Sequence, residues 1–351
     1  MSTQVPGVKG RGSAENPANR FEKIEYEPSE EEISEGISPK TVFYKDATKS
    51  IITYNDSPDV GFNAGINPYR GCEHGCIYCY ARPTHEFLGL SLGLDFESRI
   101  FVKEDAPALL RKELSSPKYV PDTIALSGNT DCYQPAERRF GLTRACLEVL
   151  SEFKNPAGIV TKNYLVTRDI DILKGFAQWN GIVVAVSITT LDAALKGLME
   201  PRTSEPQLRL RAIEELSRSG IPVIVMVAPV IPGLTDHEIP NIIKSASDAG
   251  AVSAGFIMLR LPYGVSDLFA AWLERNFPER KDKVLGRIRS VRGGKLNSAE
   301  FHDRMRGEGV YADQVRDLFE VACRKAGFDR NKVNLSTEHF RRPGGKQLQL
   351  F

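Results

Sequence analysis

The sequence holds little that would carry it across a membrane. No apolar run approaches the roughly 20 residues that a spanning helix needs. Its start, with Gly7, Lys9, Gly10 and Arg11, lacks the apolar stretch of a secretory signal. A cytoplasmic protein without a membrane partner is expected. No sign of charge dominates either: 46 Lys and Arg face 45 Asp and Glu, a formal net charge of +1, which excludes a uniformly basic or acidic polyelectrolyte. There is no internal repeat beyond an alternation of strand and helix patterns. Cysteine is scarce, 6 in 351 residues. In a compartment that keeps thiols reduced, three of them inside one short stretch point to metal binding or catalysis more than to a disulfide framework.

What is present suits a globular chain of one large domain with extensions, or two modest ones. Hydrophobic residues at 41% and charged residues at 26% suffice for a sizeable core. Residues 1–40 are rich in Gly, Pro, Ser, Asn and Glu without apolar periodicity and read as a flexible arm; its stretch Glu22–Glu35 carries seven glutamates and one lysine. Residues 41–60 read as a lead-in hairpin around a polar turn at Asp46–Lys49. From 61 to 261, β-branched runs near 62–66, 122–127, 157–161, 181–188, 221–228 and 252–258 alternate with amphipathic helices. One such helix spans 141–153; another spans 236–249, capped by Asp236 and stopped at Gly250. Six such units predict a parallel sheet with right-handed crossovers. Six are too few for a closed eight-stranded barrel, so the expected fold is α/β, a partial (β/α)6 TIM-type barrel with active residues at the C-terminal strand ends. A mostly helical, basic extension follows over 262–340, including a helix at 311–326, and a frayed tail over 341–351.

The strongest signal is Asn67-Pro-Tyr-Arg-Gly-Cys72-Glu-His-Gly-Cys76-Ile-Tyr-Cys79-Tyr80, a C-x3-C-x2-C loop after the first barrel strand. Thiolates are the soft ligands of an iron–sulfur cluster. Three on one short loop can hold three irons of a cubane and leave the fourth open to a ligand, as catalytic metal sites keep a position open. Zinc is the other reading; it needs a fourth ligand, for which His74 and His85 are candidates.

This spacing, with the aromatic Tyr78 before the third cysteine, resembles the signature of the radical S-adenosylmethionine superfamily. The likeness runs over roughly residues 60–260 and is greatest to the spore photoproduct lyase group. Shared features are Thr161-Lys162, Val186-Ser187-Ile188-Thr189, Glu200-Pro201-Arg202-Thr203 and Val227-Ala228-Pro229 in matching order. The resemblance implies a [4Fe–4S] cluster on Cys72, Cys76 and Cys79, and S-adenosyl-L-methionine (SAM) on the open iron. It also implies reductive cleavage of SAM to methionine and a 5′-deoxyadenosyl radical, with an electron donor such as flavodoxin or ferredoxin. Tyr78 would pack near the adenine. Asn129, where the superfamily often has a Gly-Gly-Glu-like motif, would receive the methionine amino group, and Gly128 would let the backbone approach. Lys162 would meet the SAM carboxylate. Ser187 and Thr189, alternate residues of one strand, share a face and can hydrogen-bond the carboxylate or ribose. The competing readings are a plain turn for Gly128-Asn129, a solvated strand end for Lys162 and β-propensity for Ser187 and Thr189.

Cys132 and Tyr133 lie on the polar loop Asn129–Glu137. The thiol is a candidate hydrogen-atom donor and Tyr133 a candidate relay; a buried cysteine without a role is the alternative. The lyase's hydrogen-donating cysteine aligns with Gly128 and not with Cys132. Cys146 and Cys323, on apolar helix stripes, read as core. From Arg275 to Phe351 there are 18 Lys and Arg against 10 Asp and Glu, an excess of 8. Arg287, Arg289, Arg292, Lys295, Arg304 and Arg306 are the candidate nucleic-acid contacts. The C-terminal Gln347-Leu-Gln-Leu-Phe351 resembles the peptide that inserts into the bacterial DNA sliding clamp. The expected function is a radical SAM enzyme acting on nucleic acid, in the manner of DNA repair. A tRNA, peptide or small-molecule substrate is the alternative, and a non-catalytic iron–sulfur redox sensor is the reading from another class.

Overall fold

The computed structural model describes residues 8–21, 40–328 and 333–343. Among the described residues, ten strands form two sheets. β1 (Val42–Lys45), β4 (Tyr69–Arg70) and β5 (Arg99–Val102) make a small sheet in the order β1-β5-β4. The main sheet has the order β10-β9-β8-β7-β6-β3-β2, with β2 at Thr53–Tyr54, β3 at Ala64–Ile66, β6 at Ile124–Leu126, β7 at Ala157–Thr161, β8 at Ile182–Ser187, β9 at Val223–Val230 and β10 at Ser253–Met258. From β3 to β10 every pairing is parallel; β2 joins β3 antiparallel at the edge.

This order fixes the architecture. Each new strand is added on the same side of the last, and with the right-handed crossovers that parallel strands favour, the helices line one face while the sheet curls about the other. The strands are β-branched and alternate in burial, as along β9, because one face meets the interior and the other meets helices such as Leu142–Phe153, Pro206–Arg218 and Ile239–Asp248. The result is the expected partial barrel, with its six strands near the positions read from the sequence. Among the described residues, no helix is long and apolar enough to cross a membrane.

Three expectations need correction. Residues 41–60 form no hairpin: β1 runs parallel to β5, with Tyr44 stacked on Phe101 at 5.2 Å between ring centroids, while β2 goes to the other sheet. Residues 8–21, inside the expected flexible arm, are packed. Leu94 N–H donates to Glu15 O at 3.2 Å and Ser91 Oγ to Pro17 O at 2.7 Å; such polar docking leaves no apolar period to read. Asp236 caps no helix: a 3-10 turn Asp236–Glu238 precedes Ile239–Asp248, and the Asp236 carboxylate accepts from the Tyr311 hydroxyl.

The extension is helical as expected: Val265–Asn276, Pro278–Ser290, Asp303–Arg306 and Val310–Lys325. The first two build a second apolar cluster around Trp272 that includes Cys76, Ile77, Tyr78, Leu195, Met199 and Leu259. The extension thus packs directly on the cysteine loop.

Candidate active site

Polar contacts hold the cysteine loop alongside that apolar cluster. Cys72 N–H donates to Phe96 O at 2.9 Å, Ile77 N–H to Met199 O at 3.0 Å and Cys79 N–H to Cys76 O at 3.2 Å. Arg82, fully buried, donates to Cys76 O at 3.0 Å, Gly75 O at 3.3 Å, Leu92 O at 3.1 Å and Gly93 O at 2.9 Å, and pairs with the buried Glu97. Glu97 also accepts from Gly12 N–H at 3.0 Å and Ser13 N–H at 2.8 Å, which ties the N-terminal segment to the loop. Gly75 takes φ +67°, a left-handed conformation suited to glycine, and a β-carbon there would meet Glu97 Oε2 at 2.7 Å. The carbonyls of Gly75 and Cys76 and the amides of Cys72, Ile77 and Cys79 therefore have partners, as burial favours.

The three thiols are free, Cys72 and Cys76 buried and Cys79 half-buried. Burial pushes all three above the ordinary thiol range; Asp131 adds to this at Cys72 and Glu200 at Cys76, while Lys162 pulls Cys76 and Cys79 back down. A metal centre would supply the positive charge that makes them thiolates. His74 serves the loop and not a metal: Nδ1 lies 3.3 Å from Asp131 Oδ2 and Nε2 lies 3.2 Å from Asn163 Nδ2. His85 Nε2 lies 2.9 Å from Arg99 O. Both ring nitrogens of His74 are thus engaged, whereas His85 uses Nε2 alone. Among the described residues, no three His, Cys, Asp or Glu side chains converge as ligands of one metal ion.

Beside the loop, strand ends gather a buried polar cluster. Lys162, after β7, donates to Ala228 O at 2.8 Å and Thr189 Oγ1 at 3.1 Å, and lies 3.3 Å from Glu200 Oε1 and 5.9 Å from the Tyr78 ring centroid. Glu200 accepts from the Tyr78 hydroxyl and from Thr189 at 2.7 Å, and pairs with the buried Arg209. Burial alone would raise the Glu200 carboxyl, but Arg209 and Lys162 hold it below the usual carboxylate range. Asp131 orders the β6–β7 side. Its carboxylate accepts from Lys162 N–H at 2.7 Å and Thr161 Oγ1 at 2.8 Å, and it too lies below its usual range, because His74 and the backbone N–H groups of Lys162 and Tyr133 outweigh burial.

A family model described as the Radical SAM superfamily matches residues 66–246, more than half of the chain. The chain belongs to this superfamily. The cofactors of the radical SAM family, a [4Fe–4S] cluster and SAM, are therefore those of this protein. An uncharacterized protein of Mycobacterium tuberculosis is 39% identical over 220 residues, 62% of this chain and 65% of that protein, so the match spans just under two thirds of that relative. An uncharacterized protein of Methanocaldococcus jannaschii is 31% identical over 214 residues, 61% of this chain and 76% of that protein. Among solved structures, spore photoproduct lyase with bound AdoMet and dinucleoside spore photoproduct matches with a TM-score of 0.58 at 17% identity, covering 89% of this chain and 86% of the lyase. That likeness is one of fold.

Within the radical SAM barrel, the structure gathers Tyr78, Lys162 and Thr189 beside Cys76. Ser187 is buried next to them, its carbonyl accepting from Arg209 Nη1 at 3.0 Å. Gly128 and Asn129 lie across the mouth: Gly128 O accepts from the Tyr80 hydroxyl, and Asn129 N–H donates to Asn67 Oδ1 at 3.2 Å. Ser127 before them takes φ +80°, a conformation a serine holds only where its surroundings insist. Cys132 and Tyr133 are fully buried in the main apolar cluster; the Tyr133 hydroxyl donates to Asp169 Oδ2 at 3.0 Å and the Cys132 N–H to Ser127 Oγ at 3.0 Å.

Of the basic candidates, Arg292 is buried, donating to Leu259 O at 2.6 Å and Met258 O at 3.3 Å. Arg304 pairs with Asp59. Both are structural, so a row of arginines in the sequence is not a row of surface charges. Sequence reasoning passed over Arg82, Glu97, Asp131 and Arg209. A single charged residue has no period, and only Glu200, inside a family motif, carried a legible signal. The acidic stretch and the segment Gln347–Phe351 lie outside the described residues.

Proposed function

We propose that Cys72, Cys76 and Cys79 ligate the [4Fe–4S] cluster, that SAM binds against Tyr78, Lys162, Ser187 and Thr189, and that the enzyme acts on nucleic acid. The observation that carries this is the adjacency of three free thiols, on a loop pinned by Arg82 and Glu97, to the Lys162–Thr189–Glu200 cluster. When bound, the cluster and SAM supply a carbon radical that abstracts hydrogen from a substrate.

The protein's own part is orientation and exclusion of water. Lys162 presents a cation beside the thiols, and its ammonium is aimed by Thr189, Ala228 O and Glu200; a carboxylate arriving there exchanges one of these partners for itself. Arg209 helps keep Glu200 ionised beside the lysine. Gly128 and Asn129 offer backbone and amide groups on the facing rim.

The nucleic-acid reading rests on the fold shared with a lyase solved with a dinucleoside and on the basic composition of 275–351. Hydrogen donation by Cys132 and Tyr133, a flavodoxin or ferredoxin reductant, a cytoplasmic location and clamp binding through Gln347–Phe351 belong to the same proposal. Superfamily membership favours the enzyme over the sensor.

The test is anaerobic reconstitution with iron and sulfide. Wild type should show the absorption of one [4Fe–4S] cluster, and Cys72→Ala, Cys76→Ala or Cys79→Ala should abolish it. Lys162→Ala should keep the cluster and weaken SAM binding by calorimetry about tenfold, the loss of one charge-assisted hydrogen bond. Stoichiometric zinc without iron uptake would refute the ligand assignment.

A further inference from the structure

One cation at the barrel mouth has no assigned task. Arg260 stands two residues beyond the end of β10. Its Nε is buried without a hydrogen-bond partner, and its Nη1 meets only the weak acceptor Met305 Sδ at 3.6 Å. The backbone beneath it is clamped: Leu259 N–H donates to Val230 O at 3.0 Å, Leu261 N–H to Asn297 Oδ1 at 3.2 Å, and Arg292 holds Leu259 O. Asp59, the carboxylate that bears on Arg260, is already engaged by Arg304 and by His302 N–H at 2.6 Å. Arg304 itself adds repulsion, and burial together with it pulls the Arg260 guanidinium below its ordinary range. A half-buried guanidinium so poorly served costs stability unless something anionic completes it.

Tyr80, the residue after Cys79, lies beneath this cation, 5.0 Å from Arg260 Cζ to the ring centroid, and is 44% exposed. Its hydroxyl donates to Gly128 O at the end of β6. β6 and β10 are separated in the sheet by β7, β8 and β9, so the ring reaches across the C-terminal strand ends. An exposed aromatic residue beside an incompletely paired guanidinium matches the two halves of a nucleotide: a base that stacks and a phosphate that pairs.

We propose that Arg260 and Tyr80 form a nucleotide subsite at the barrel mouth, Arg260 taking a phosphodiester and Tyr80 a base. The proposal rests on the nucleic-acid reading and deepens it, replacing Arg292 and Arg304 as contacts. The test uses the full chain with its cluster and a fluorescent oligothymidylate of about ten nucleotides, within the usual site size, with affinity followed by anisotropy over a salt series. Arg260→Met should weaken binding about tenfold and lower the slope of log K against log salt by roughly 0.7, the value of one single-strand phosphate contact. Arg260→Lys should restore the slope, and Tyr80→Leu should weaken binding with the slope unchanged. Should Arg260→Met fail to hold its cluster, Arg260→Gln takes its place with the same readout. Wild-type binding that neutral replacement of Arg260 leaves unchanged in affinity and slope overturns the subsite alone. Absence of oligonucleotide binding by wild type overturns the nucleic-acid reading and the subsite with it.

Discussion

His85 is fully buried behind the cysteine loop, edge-on to Phe96, with Nε2 facing Arg99 O and Nδ1 without a partner. Burial lowers its pKa to about 4, so the ring is neutral and donates from Nε2. The sign of the linkage follows. Between pH 4 and the ordinary value near 6.5 the unfolded chain takes up a proton that the folded chain refuses, and stability falls as the medium acidifies through that window. The full effect is on the order of 3 kcal/mol. Urea unfolding at about pH 7 and about pH 4.5 should show a smaller acid loss for His85→Gln than for wild type. Equal losses would mean that the ring is protonated in the native state. The residue was visible in the sequence as a candidate zinc ligand; its role as a buried neutral wedge was not, because a histidine's environment comes from distant chain.

At the scale of the element, the cysteine loop depends on a segment that composition marks as loose. Gly12 sits so close to the loop that an added β-carbon would lie 1.8 Å from Gly75 O. Neither is a flexible side-chain tip, so Gly12→Ala must push the N-terminal segment away from Glu97. The expected cost is about 1–3 kcal/mol, as for other overpacked sites. The midpoint of thermal unfolding should drop, and cluster bleaching in air should quicken as the segment loosens. A variant that matches wild type in both would show that the segment does not guard the loop. Strands announced themselves through β-branched runs, and helix Leu142–Phe153 through its apolar stripe, because burying a face imposes a period. The docked segment, the β1–β5 pairing and the Arg82–Glu97 lock impose none, and they were not legible.

The whole molecule combines a barrel that opens its strand ends, a loop of thiols at the first of them and a helical extension that closes over that loop through Trp272, Ile77 and Tyr78. The barrel was readable from six alternations, and the cluster ligands from one spacing. The basic extension was misread where Arg292 and Arg304 turned inward, since linear charge does not say which way a side chain points. The central claim is that this assembly cleaves SAM reductively. Its most direct test is to incubate the anaerobically reconstituted, dithionite-reduced protein with SAM and quantify 5′-deoxyadenosine by chromatography. The account predicts its formation by wild type, even slowly without substrate, and its loss in Cys79→Ala. A full iron content with no 5′-deoxyadenosine would contradict it.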